Sequence, residues 1–356
     1  MKHICISVVV WGQAFTDILT GQAIPSLLAP GNIPSFPYRR MTELLVITTG
    51  EDEARIKASP AYERLTRYIP VTFLNFAPKP VKLDPPDLKY WMMTELHKFM
   101  ISYAKLKDAG IVMLTPDILM ADGALQRLAQ SIDNGKRVFM THAPMLERDG
   151  FMPEVEAWLD RHGEREAYRD GVIAIPPRPL MAMAARHYHP MTECYFIGSK
   201  RFNHFTSWIY WPLGEQGLLA RVAHMGPVFF YPERWDASLF DENFRTIDQT
   251  FIAEACPDLS TYDVCTDSDE FLYVEIGPSE KTYPVRQLSY ANPLDFGIFA
   301  WKHLNAFNLA FFQQKLWLHA GIDRAEWAEV ERASDRWVAR AMDKVELVRE
   351  AAPAPS

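Results

Sequence analysis

The chain of 356 residues is read as an α/β protein: a three-layer α/β/α unit around a mostly parallel sheet, then an α+β region and a C-terminal helical segment. Three observations predict this. Ile4 to Val10 is a continuous run rich in β-branched residues, as expected of a strand buried on both faces of a parallel sheet. Strand-like and helix-like segments alternate through the first 141 residues. Pro30-Gly31-Asn32, Ser59-Pro60 and Asp122-Gly123 punctuate that alternation with turn chemistry.

The elements follow in order. The first strand ends at Trp11-Gly12. Phe15, Ile18, Leu19, Ala23 and Leu27 recur at near-helical spacing, so Ala14 to Leu28 is read as a helix. Leu44 to Thr48 is a second strand. Glu51 to Tyr68 is a helix broken at Ser59-Pro60, because a residue before proline is driven out of the α region. Val71 to Leu74 is a third strand, and the proline-rich stretch from Phe76 to Asp87 is extended. Helix Lys89 to Lys107, strand Ile111 to Leu114, helix Ala124 to Ile132 and strand Arg137 to Thr141 complete the alternation. Right-handed crossovers place the loops after Val10, Thr48 and Leu114 on one carboxyl edge.

Beyond Pro144 the pattern changes to helices Pro153 to His162 and Pro179 to His187, then short strands Trp208 to Trp211, Leu218 to His224, Val228 to Tyr231, Tyr262 to Thr266 and Phe271 to Ile276. Leu294 to Glu350 is read as helical, with a frayed tail. Boundaries are therefore expected near 1–145, 146–293, 294–350 and 351–356.

Composition excludes several classes. Apolar residues make up 48% and aromatics 13%, a folded composition. With 37 basic against 45 acidic residues and a net charge of −8, no footprint for a phosphate backbone is visible, so nucleic acid is not an expected partner. Cys5, Cys194, Cys256 and Cys265 form neither zinc spacing nor a disulfide framework, which points to a reducing cytoplasm. No window approaches the roughly 18 apolar residues that span a bilayer. The apolar positions Phe299, Trp301, Phe307, Phe311, Phe312 and Trp317 suit a buried packing helix, a homodimer contact or peripheral membrane contact. GxGxxG, GxxxxGK[ST] and GxSxG are all absent, which removes the main support for nicotinamide, P-loop and hydrolase readings.

Chemistry is expected at four places. Asp117, in Thr115-Pro116-Asp117, sits at the carboxyl end of a strand, where open α/β sheets bind ligands. Gly12 allows close backbone approach and Trp11 offers a stacking face. Lys89, at the start of its helix, reaches toward a phosphate. The acidic turn Asp267-Ser268-Asp269-Glu270 holds candidate catalytic bases, because a neighbouring carboxylate or burial raises a carboxyl pKa toward that task.

The segment KYWMMTELHKFMISYAKLKDAGIVMLTPDILMADG, from Lys89 to Gly123, resembles GT-A-type nucleotide-diphospho-sugar glycosyltransferases in its order of helix, strand and Asp-x-Asp. Thr115 stands in place of the first aspartate and Asp117 in place of the second. The resemblance spans about the first 140 residues. It implies a Rossmann-like, GT-A-like sheet, a nucleotide sugar as donor, a glycan, lipid-linked or small-molecule acceptor, and Mn²⁺ or Mg²⁺ neutralising the leaving diphosphate. It further implies that base and ribose lie against Val10, Trp11, Gly12, Thr48 and Thr49, with Asp117 and the late histidine His224 as metal ligands. The missing first carboxylate favours, as the alternative, a catalytically degenerate binding or assembly protein of the same fold. A methyltransferase would want a glycine-rich loop after the first strand, which Trp11-Gly12-Gln13 does not supply.

Overall fold

The computed structural model describes residues 1–77, 85–203, 207–234, 247, 249–278 and 288–351. The chain divides into two compact units. The first comprises Met1–Thr141, Glu156–Pro176 and Gly226–Cys265; the second comprises His142–Val155, Pro177–Met225 and Thr266–Ser356.

Thirteen strands are found among the described residues: β1 (His3–Val9), β2 (Thr42–Thr48), β3 (Val71–Asn75), β4 (Ala109–Leu114), β5 (Ile118–Met120), β6 (Val138–Met140), β7 (Met145–Glu147), β8 (Trp208–Pro212), β9 (Gly217–Val222), β10 (Pro227–Phe230), β11 (Tyr262–Val264), β12 (Tyr273–Gly277) and β13 (Leu316–His319). Seven of them build the sheet of the first unit, in the order β11-β6-β10-β4-β1-β2-β3. Every neighbouring pair is parallel except those made by β10, which runs antiparallel between β4 and β6. All seven residues of β2 and six of seven in β1 are buried. Since successive side chains point to opposite faces, both faces are covered and the unit has three layers. The fold is the mostly parallel α/β sheet expected from the β-branched runs. β10 and β11, which lie beyond residue 145, complete that sheet.

The helices follow their local chemistry. Residues 13–27 form one helical run, with Gln13–Ile18 and Ile24–Leu27 joined by a π-helical turn at Leu19–Ala23. Pro25 has no N–H for the preceding turn and its ring crowds a carbonyl there, so the helix widens just ahead of it. The break at Ser59-Pro60 separates helix Gly50–Lys57 from helix Pro60–Leu65, and the Ser59 hydroxyl caps the second by accepting from the Tyr62 N–H at 3.2 Å. Helix Pro85–Lys107 begins earlier than expected and packs on β1, β2 and β4. Residues 78–84 of the expected extended stretch lie outside the described residues.

In the second unit β8, β9 and β13 form an antiparallel sheet, and β7 pairs with β12 in parallel. The C-terminal part differs from the expected continuous helical segment: helices Pro293–His303 and Ala306–Phe312 are followed by β13 before helix Arg324–Ala351. Leu316 and Leu318 are buried, and alternate core-facing positions suit a strand. Phe296, Ala300, Phe312, Trp327 and Val345 share one core with Ile209 and Leu219, and Phe296 stacks on Phe312 with centroids 4.3 Å apart. Of the aromatic positions singled out in this segment, Phe311 and Phe312 are buried, and Phe299 and Trp317 pack against that core. No described helix is long and apolar enough to cross a membrane.

Candidate functional site

Two places hold candidate functional side chains, one in each unit. The first is the carboxyl edge of the large sheet. β1 and β2 are adjacent and parallel, so the loops that leave them emerge side by side. Val10 is buried, and its N–H donates to the Ile47 carbonyl at 3.0 Å, extending the ladder by one residue. Trp11 is half-buried and stands edge-on to Phe76, centroids 6.0 Å apart. Gly12 has φ of +84°, a backbone region that side chains disfavour.

Asp52, which the sequence reading passed over, ties these loops together. Its Oδ2 accepts from the Gly12 N–H at 2.9 Å and from the Thr49 hydroxyl at 2.8 Å, while Arg55 donates to its Oδ1 at 2.9 Å. The Asp52 N–H in turn donates to Thr49 Oγ1 at 3.2 Å, making Thr49 the N-cap of helix Gly50–Lys57. Burial pushes the Asp52 carboxyl up, but bonds from Gly12, Thr49, Arg55 and Thr16 outweigh it and hold the pKa below the ordinary value. The signal was present as Thr49-x-x-Asp52 directly after a strand. Thr48 is fully buried and its hydroxyl has no hydrogen-bond partner among the described residues.

Asp117 is half-buried and follows β4, which neighbours β1 in the sheet; Thr115 is exposed. The next acid, Asp122, holds the fold together: its Oδ1 accepts from the Gly31 N–H at 2.6 Å and its N–H donates to the Ile175 carbonyl at 2.8 Å. Lys89 lies within helix Pro85–Lys107, and its side chain falls outside the described residues. Beside β2 and β3, a cavity of about 680 Å³ is lined by Ile47, Leu74, Phe76, Trp91 and Leu96, with Asn75 and Glu95 supplying polar groups.

The second place is the acidic turn in the other unit. Asp267, Asp269 and His319 converge, with one ligating atom of each within 4.8 Å of the others. His319 Nε2 lies 3.0 Å from Asp267 Oδ1 and 4.0 Å from Asp269 Oδ2. Backbone bonds place the turn: the Trp317 N–H donates to the Thr266 carbonyl at 2.7 Å, the Ser268 N–H to the Trp317 carbonyl at 2.9 Å, and the His319 N–H to Ser268 Oγ at 2.9 Å. Arg178 forks onto Asp269 through Nε and Nη2, the shortest contact being 2.7 Å. Glu270 is exposed. His319 and Arg178 were not legible beforehand: the strand that carries His319 lies within a segment of helical composition, and Arg178 is 91 residues from its partner.

His224 follows β9 in the second unit, whereas Asp117 belongs to the first. The His224 Nδ1 is hydrogen-bonded to the Ser207 hydroxyl, and its carbonyl accepts from Trp208 Nε1 at 2.7 Å. His189 caps helix Pro190–Glu193 by accepting from the Met191 N–H, and its Nε2 lies 3.0 Å from the Pro278 carbonyl, so both nitrogens are occupied structurally.

No family model and no curated protein matches the chain. Among solved structures, it is similar to mouse xyloside xylosyltransferase 1 in its apo form, with 14% identity over 46% of this chain and 58% of that one, at a TM-score of 0.27. It is also similar to S. aureus TarS, with 11% identity over 96% of this chain and 43% of that one, at a TM-score of 0.32. Both likenesses are remote, and the chain spans less than two thirds of either structure.

Proposed function

We propose that the chain is a glycosyltransferase-like enzyme that moves a sugar from a nucleotide-diphosphate donor to a glycan, lipid-linked or small-molecule acceptor. One arrangement carries the reading: Asp117 leaves β4 on the same carboxyl edge where Asp52 ties the Gly12 loop after β1 to Thr49 after β2. In this proposal Val10, Trp11, Gly12, Thr48 and Thr49 face the base and ribose, Lys89 approaches a phosphate, and Asp117 sits beside the diphosphate. A carboxylate oxygen is a donor suited to Mn²⁺ or Mg²⁺, and such an ion, when bound, would neutralise the departing diphosphate. One carboxylate of the acidic turn Asp267, Asp269 and Glu270 is proposed to accept the acceptor's hydroxyl proton. Four buried free thiols suit a reducing compartment, and a cytoplasmic location is part of the proposal.

A thermal-shift screen against UDP, GDP, CMP and dTDP, with and without Mn²⁺ and with Mn²⁺ alone as control, tests it. A ligand at about 100 times its Kd stabilises by about 2.7 kcal/mol. One nucleotide should raise Tm in a Mn²⁺-dependent way, and Asp117→Ala should abolish that shift. If no nucleotide shifts Tm, the enzyme reading fails. Thr115, in place of a first carboxylate, then makes a binding or assembly role of the same fold the better account.

A further inference from the structure

We infer that the outward face of helix Pro85–Lys107, together with the cavity beside it, docks on a lipid bilayer that carries anionic headgroups. The inference is independent of the glycosyl-transfer reading. It rests first on an apolar stripe. Trp91 is 40% exposed, Phe99 61% and Leu106 87%. At roughly 100° per residue these three positions fall within a sector of about 80°, so they share one side of the helix. On the other side Leu96, Met100, Ile101 and Ala104 are buried, and the helix packs on β1, β2 and β4. The core therefore takes one apolar face of this helix, and a second is presented to the outside.

It rests second on the cavity. Its volume is about 680 Å³; Trp91, Met92 and Phe99 form one wall, and Leu74 of the edge strand β3 with Phe76 just after it forms another. That volume lies within the range of about 300–1,000 Å³ that holds an apolar ligand. A single acyl chain fits there, entering alongside the stripe. Glu95, the acid of this lining, is paired with Lys98 at 3.1 Å.

Charge selects the occupant. From Trp91 to Lys107 the helix carries Lys98, Lys105 and Lys107 against one acid, Glu95, on a chain whose net charge is −8. Lys98 and Lys105 fall on one border of the stripe by the same angular arithmetic. An apolar stripe that holds a tryptophan and is bordered by lysines suits a helix lying in the plane of a membrane interface, with the indole at headgroup level and the ammonium groups against anionic phosphates. A two-fold contact with a second copy would instead bring the same basic set against itself.

Flotation of the full chain with vesicles of phosphatidylcholine, with and without phosphatidylglycerol, tests the surface. Binding to the anionic vesicles should be at least about tenfold tighter than to the neutral ones, and brominated acyl chains should quench tryptophan emission less in Trp91→Phe than in the unaltered chain. Phe99→Ser and Leu106→Ser are changes at exposed positions, and each should weaken binding at least about tenfold. Lys105→Glu should weaken it about fivefold or more. Ile298→Ser, at an exposed apolar position of helix Pro293–His303 in the other unit, should leave binding unchanged. No vesicle binding, or binding that survives Phe99→Ser combined with Leu106→Ser, overturns the inference. Loss of binding in Ile298→Ser alone moves the membrane contact to the other unit and overturns it too. A dimer in sedimentation velocity that Leu106→Ser dissociates would assign this face to a second copy instead.

Discussion

Asp52 organises the sheet edge one contact at a time. Its carboxylate satisfies the Gly12 N–H, which the positive φ of Gly12 turns away from the ladder, and it holds the cap of the following helix in register. Its pKa lies below the ordinary carboxylate value, so its contribution is fully present above the unfolded pKa of about 3.9 and is lost as pH falls through the lower native value. Asp52→Asn should therefore lower stability by about 1–3 kcal/mol at neutral pH. Urea melts of both proteins between pH 7 and pH 2.5 should show a constant gap down to about pH 4.5 and a closing gap below it. A gap that stays open at the acid end would mean the carboxylate is not ionised in the native state.

β13 shows how one element decides a site. Its partner β9 presents Gly217 opposite His319, and a Cβ there would fall 2.0 Å from the Leu318 carbonyl oxygen. Gly217 also has φ of +120°, which side chains rarely adopt. The close approach brings β13 against β9 and presents His319 to the acidic turn. Gly217→Ala should cost about 1–3 kcal/mol from backbone conformation alone, measurable as a lower urea midpoint. Unchanged stability would show that β13 can shift without strain. The other elements were largely visible beforehand: Ser59-Pro60 marked a helix boundary and the run Ile4 to Val10 a buried strand, because propensity and periodicity are local properties. The π-turn at Leu19–Ala23 was not visible, although Pro25 was its cause.

At the scale of the whole molecule, two compact units each bury their own core, and Cys5, Cys194, Cys256 and Cys265 are all buried free thiols. Burial pushes Cys5 and Cys194 up to about 12 and Cys256 to about 11, which suppresses the thiolate that reacts. Titration with a disulfide reagent at pH 8 should label essentially none of them in the native protein and all four after denaturation in guanidinium. Rapid native labelling would show that a unit opens readily. The amino-acid order was enough to establish the alternation of strands and helices, the mostly parallel sheet, and Asp117 at a strand end, since each follows from neighbours within a few residues. Tertiary structure alone decided that β10 enters the sheet antiparallel and that Arg178, Asp267, Asp269 and His319 meet. Those contacts join residues up to 119 positions apart in the first case and 91 in the second, as Phe230 pairs with Ile111 and Arg178 with Asp269. No local pattern encodes such distances; they arise only when burying apolar surface brings remote segments together.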